Sequence, residues 1–371
     1  MKNDLLDSDL LKRPMNRRAF HRALASAGLA AVTVSLPMRA ARAEEQAIYF
    51  TWSGYDDPAL HKKYAAKYGA LPGFSLFGDE EEAFQKVRAG FRPDVAHPCH
   101  GSILRWIDAG LITPIDTSRL SNWDGVFPKL KTLTEAQIDG KQWFVPFDWG
   151  NTSITYRTDL VDPKYEKDPT WGLLWDERYK GRLSVIDGVE DLVPVTAIYA
   201  GIKNPFDMSD EDLSKVKALL VKQKPLLRFY SADMTTMEQS LASGELVAAM
   251  TWNDAPVALK KQGLPVKFMH PKEGMLTWVC GLVLLKEAPH PDKAYDLIDS
   301  LLDPSAGKFL IEEDGYGHSN ARSFELVSDE KLQELGLPRD PTALLENGFF
   351  LETLKNKEKI VRMFEDVKAG L

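Results

Sequence analysis

Cysteine is almost missing: 2 residues in 371, too few to staple a small scaffold that lacks its own core. No apolar run reaches the roughly 18 residues of a membrane-crossing helix. Basic charge is in deficit, 46 Lys+Arg against 54 Asp+Glu, so the basic face of a nucleic-acid binder is absent. Neither a Gly-x-Ser-x-Gly nucleophile elbow nor a phosphate-cradling glycine-rich loop occurs. With 44% hydrophobic residues and 25 Gly, the chain is neither disordered nor collagen-like. What is left is a globular chain long enough for about two domains.

The N-terminus reads as an address. Arg17-Arg18 stand just before Phe20, an apolar stretch runs from Ala23 to Pro37, and Ala41-Arg42-Ala43 offers small residues for cleavage. This order of charge, apolar core and small residues predicts a removable export signal over residues 1–43. The arginine pair fits the twin-arginine type, with a Sec-type signal holding two chance arginines as the alternative. The working chain then begins near Glu44, in a bacterial periplasm. Residues 1–43 hold 8 Lys+Arg and 3 Asp+Glu, so the remainder keeps 38 against 51, a net charge of −13. A field of that sign repels polyanions and draws small cations.

Strand and helix patterns alternate from Ala47 onward. Ala47–Trp52 predicts a buried first strand, followed by a helix with Asp57 as its cap and Gly69 as its stop. Phe74–Phe77 predicts a strand, Glu80–Arg88 a helix, Asp94–Ala96 a short strand and Ser102–Ala109 a helix. The second half repeats the scheme: strands at Leu183–Ile186, Val247–Trp252 and Trp278–Leu285, helices at Gly188–Ala200, Ala255–Lys261 and Pro291–Leu302. Such alternation predicts an α/β fold with mixed, mostly parallel sheets, whose ligands sit beyond the C-terminal strand ends. Trp52-Ser53-Gly54-Tyr55 and Pro98–Gly101 fall there. No low-complexity linker separates the halves.

Five segments occur in the order of a known family: Trp52-Ser53-Gly54-Tyr55, Val145–Gly150, Ala248–Asn253, Pro271–Gly274 and Asp314-Gly315-Tyr316. Across residues 47–365 the chain resembles the periplasmic spermidine/putrescine-binding proteins of ABC importers. The resemblance implies a type II periplasmic-binding-protein fold, two lobes with a ligand cleft between them. Lobe 1 would comprise residues 44–154 and 281–325, lobe 2 residues 155–280 and 326–371. The crossings would lie near Ile154–Tyr156 and Gly281–Val283. It further implies no catalysis and no cofactor, a monomer, a small cationic or zwitterionic ligand, and an inner-membrane permease as partner.

By the same resemblance Trp52, Tyr55, Trp252, Trp278 and Tyr316 form aromatic walls, joined by Trp149 and Phe350. Each ring face attracts a cation by about 0.5–2 kcal/mol, depending on its dryness. Their alternative is burial in a core. The family's polar acceptors fit less well: Cys99, Gly101, Cys280 and Leu351 stand where it carries polar or acidic groups. A primary ammonium strands its N–H donors where acceptors are lost, whereas a quaternary ammonium or sulfonium has none to strand. On this reading the favoured ligand is a methylated onium compound of the dimethylsulfoniopropionate, glycine betaine or choline type, with polyamines as the alternative.

Asp187 and Asp191, four apart at a predicted helix start, with Asp254 and Asp148 beside the tryptophans, could still hold a polyamine. Ser53 is a candidate donor to a ligand carboxylate. A third reading takes Asp187, Glu190 or Asp254 as paired carboxylates of an enzyme acting on a sugar. His97, Cys99 and His100 are too closely spaced to wrap one ion, so no metal is expected. On the family positions Cys99 and Cys280 come from opposite jaws, where a bond would lock the cleft, so free thiols are expected.

Overall fold

The computed structural model describes residues 45–371, and the export-signal reading of residues 1–43 lies outside them. In the first half, β1 (Ile48–Trp52) runs parallel between β2 (Gly73–Phe77) and β3 (Val95–Ala96). The short β4 (Ile112–Thr113) and a hairpin of β5 (Gln137–Ile138) and β6 (Lys141–Gln142) lead into β7 (Val145–Arg157). Beyond it come β8 (Leu183–Ile186), β9 (Leu227–Ser231), β10 (Ala248–Trp252) and β11 (Val266–Phe268), then β12 (Leu276–Leu285). Two short strands, β13 (Gly317–His318) and β14 (Phe349–Phe350), complete the set.

The main strand order is β2-β1-β3-β12-β7-β10-β8-β9. Both flanks are parallel and helix-connected, as the alternation requires, while β7 and β12 run antiparallel to each other between them. These two long strands belong to both flanks: β12 pairs β3 through Val283 and Leu284, and β7 pairs β10 from Thr152 to Tyr156. Twelve of the thirteen residues of β7 are buried, which explains its continuous apolar and small-residue character.

Two hydrophobic cores result. One gathers Tyr49, Phe50, Trp106, Phe147, Trp149 and Leu282, the other Ile154, Leu183, Val193, Met250, Leu276 and Phe364. The strands therefore pass from core to core between Trp149 and Ile154 and between Leu276 and Val279. Both crossings lie a few residues before the expected positions, because apolar residues in one long run carry no mark of which core receives them. The segment 326–371 is divided between the cores: Val327, Leu332, Leu335 and Leu345 join the first, Leu354, Ile360 and Phe364 the second.

Local signals explain several boundaries. Helix Glu80–Arg88 starts where Asp79 accepts the Glu82 N–H at 2.9 Å; its three first-turn glutamates and final Lys86 and Arg88 complement the helix dipole. The helix stopped by Gly69 begins only at Lys62, because Asp57 spends its carboxylate on the Ala59 N–H in a separate turn. Asp303 ends the stretch after helix Pro291–Leu301 and caps the next helix, Pro304–Asp314.

Candidate ligand-binding site

Aromatic side chains collect where the cores meet. Trp52 is the last residue of β1 and Trp252 the last of β10, each at the C-terminal end of a strand with at least one parallel neighbour. Trp52, Tyr55 and Tyr316 pack against the first core and Trp252 against the second, all four half-buried. Tyr55 is presented by a tight turn in which its N–H returns to the Trp52 carbonyl at 3.3 Å; Gly54 sits at φ +98°, which side chains avoid. Trp278 lies in β12 opposite Gly150 of β7, and any Cβ at 150 would collide with its ring. Its indole meets the Tyr316 ring edge-to-face, centroids 4.9 Å apart.

Asn253 holds this arrangement together. Its Oδ1 accepts the Asn151 N–H at 2.9 Å, and its Nδ2 donates to the Gly315 carbonyl. One side chain thereby fixes β7, the end of β10 and the turn that ends helix Pro304–Asp314. Gly315 closes that helix in the left-handed region, leaving Asp314 and Tyr316 on either side of the turn.

Carboxylates surround these rings. Tyr316 hydrogen-bonds Asp254, whose Oδ1 is buried without a hydrogen-bond partner. Burial holds the Asp254 carboxyl above the ordinary range. Asp314 is pushed up to about 6, first by burial and then by the charges of Asp254 and Asp148. Glu238 rises to about 7 through burial and the charge of Asp254. On the second core, Asp191 accepts from the Thr152 hydroxyl at 2.9 Å and from the Trp252 indole, and burial raises it to about 6. Among the described residues, no lysine or arginine forms an ion pair with Asp254, Asp314, Glu238 or Asp191. The indole N–H groups of Trp52 and Trp278 are buried and unpartnered as well. Crowded, desolvated acids thus stand beside ring faces.

The bacterial extracellular solute-binding protein family model matches residues 59–335. The chain belongs to this family. A putrescine/agmatine-binding protein of Pseudomonas aeruginosa is 29% identical over 344 residues, covering 86% of this chain and 91% of that protein. The spermidine/putrescine-binding periplasmic protein of Escherichia coli is 26% identical over 348 residues, covering 92% and 97%. The solved spermidine/putrescine ABC transporter substrate-binding protein of Streptococcus pneumoniae superposes with a TM-score of 0.77 at 22% identity, covering 88% of this chain and 99% of that one. The fold is thus the two-lobe α/β fold of periplasmic binding proteins, and the protein is a bacterial extracellular solute-binding protein.

A solute-binding protein is not an enzyme, and the carboxylate pair needed for sugar chemistry is dispersed. Asp187 lies before the helix Val189–Tyr199 and pairs with Lys368 at 2.7 Å, while Glu190 pairs with Lys357 at 2.6 Å. Asp187 therefore leaves the candidate site, its charge answered by the C-terminal helix. Trp149 leaves it too: the indole is fully buried, stacked on Phe324, and its N–H donates to the His318 carbonyl at 3.2 Å. The expected free thiols are a further correction. Cys280 is bonded to Cys99, its neighbour across an antiparallel bridge, and offers no thiol to a ligand. The expectation failed because both cysteines stand on the first-core side, where β12 has already left the second. Ser53 is exposed at the turn. Phe350 already has a cation over its face, Lys129 Nζ at 5.7 Å. Both ring nitrogens of His97 and of His100 have hydrogen-bonding partners.

Trp52, Tyr55, Trp252, Trp278, Tyr316, Asp191 and Asp254 remain as the aromatic and acidic candidates. Asp314 and Glu238 join them as candidates from the structure. Asp314 heads the Asp314-Gly315-Tyr316 motif, but a helix-terminal acid looks solvated until its neighbours are known. Glu238 carries no sequence signal at all.

A pH dependence follows from the raised carboxyls. Asp314 and Asp191 are charged above about pH 6 and take up protons below it. Affinity for a cation is expected to be highest above about pH 7 and to fall as pH drops through 6, read by calorimetric titration. A flat profile between about pH 5 and 8 contradicts this role for the two acids.

Proposed function

We propose that this solute-binding protein captures a small diamine or polyamine, of the putrescine, agmatine or spermidine class, in the periplasm, and delivers it as a monomer to its permease. The observation that carries the reading is Asp254, whose buried Oδ1 has no partner, flanked by Tyr316 and by the charge of Asp314. A buried acceptor left unmet costs roughly 1–3 kcal/mol, more when charged. A primary ammonium brings N–H donors to it; an onium compound brings none. The ring faces of Trp52, Tyr55, Trp252, Trp278 and Tyr316 then suit the methylene chain and the flanking charge. The preference for methylated onium ligands rested on acceptors lost at Cys99, Gly101, Cys280 and Leu351. Asp254 and Asp314 supply acceptors from other elements, which favours the polyamine alternative, as do the ligands named for the similar proteins above.

The test is a melting panel with putrescine, spermidine, agmatine, choline, glycine betaine and dimethylsulfoniopropionate. A ligand at 100 times its dissociation constant stabilises by about 2.7 kcal/mol. Amines are expected to raise the melting temperature and the onium compounds to leave it unmoved. The reverse pattern refutes the proposal.

A further inference from the structure

We propose that Asp148, held in place by His97, is a specificity-determining charge of the ligand site. The inference rests on the amine reading above and names a residue that the pocket aromatics do not account for.

Asp148 stands directly opposite Cys280, two residues along β7 from Gly150, which stands opposite Trp278. Opposed residues of antiparallel strands share a face, and so do residues two apart along a strand. Trp278, Cys280 and Asp148 therefore occupy one face, the face that carries the site. The side chain is 1% exposed, yet its charge is balanced by no lysine or arginine among the described residues. Its two oxygens have different partners. Oδ2 accepts the Tyr55 hydroxyl, and Oδ1 takes the Nε2 proton of the fully buried His97 at 2.8 Å. Behind His97, the hydroxyls of Thr51 and Tyr49 reach Nδ1 at 2.9 and 3.1 Å. The titratable groups facing the pair are Tyr49, Tyr55, Asp314, Tyr316 and His318, and the field of Asp148 reaches each of them.

Two consequences follow. A phenol that donates to a carboxylate is more electron-rich, so the Tyr55 face holds a cation more firmly. The charge itself adds a field that a dication feels at two positions and a monocation at one. Asp148 thus favours diamines over monoamines, with His97 as its positioning residue.

The experiment titrates putrescine and n-butylamine into the wild type and into Asp148→Asn, which keeps the shape and removes the charge. Putrescine affinity is expected to fall by about tenfold or more, and n-butylamine affinity by less, so that their ratio drops. His97→Phe, which strips the donor from Asp148, is expected to lower the same ratio, and His97→Gln, which keeps a donor, to preserve it. Both amines weakening equally in Asp148→Asn and in His97→Phe would reduce the pair to a structural role and overturn the inference alone. A wild-type protein that bound neither amine would overturn the amine reading and this inference with it.

Discussion

Replacing Cys99 and Cys280 together by serine is expected to lower the stability of the protein by about 5 kcal/mol. The disulfide closes a loop between positions 181 residues apart, and chain entropy withheld from the unfolded state grows with the logarithm of that length. The two residues are already neighbours: Gly281 donates to the Pro98 carbonyl at 3.0 Å, and the Cys99 N–H donates to Glu80 at 3.1 Å. The bond fastens the loop after β3 to β12 on the first-core side. Denatured, unreduced protein is expected to show no titratable thiol, and urea unfolding with and without reductant gives the stability difference. Coincident unfolding curves would sink the expectation.

Asp254→Asn is expected to weaken putrescine binding by about 2–5 kcal/mol, the usual result of removing one partner of a buried, hydrogen-bonded charge pair. The same substitution is expected to make the unliganded protein more stable near neutral pH. The sign follows from the direction of the shift. Burial holds the Asp254 carboxyl above its unfolded value. The stability it contributes is complete below the unfolded value and is lost as pH rises through the folded one. Asparagine carries no such loss, so the advantage of the variant appears at neutral pH and fades on acidification, when the wild-type carboxyl takes its own proton. Calorimetric titration measures the first effect, and thermal unfolding across pH the second. A variant that bound amines normally would remove Asp254 from the site. One less stable than wild type at neutral pH would make the carboxylate a structural group.

Much of the fold was legible locally. Leu183–Ile186, Glu80–Arg88 and Ala255–Lys261 form the elements their patterns predict, because alternation, capping and dipole complement operate within a few residues. A boundary slipped where one residue had two possible partners: Asp57 closes a turn where a helix cap was expected. The aromatic candidates at strand ends were legible for the same local reason.

The sequence by itself determined the α/β alternation, the acidic balance and the positions of Trp52, Trp252, Trp278 and Tyr316, since each depends on composition or on neighbours along the chain. Only the tertiary structure decided which acids are left without a basic partner. Asp187 and Asp191 look alike in sequence, yet one meets Lys368 and the other Thr152. Trp149 and Trp278 look alike too, yet one is sealed against Phe324 while the other stands over Gly150 beside Tyr316. The physical reason is desolvation: whether a carboxylate is answered by a lysine or buried without one depends on groups brought from distant parts of the chain, and folding alone brings them together.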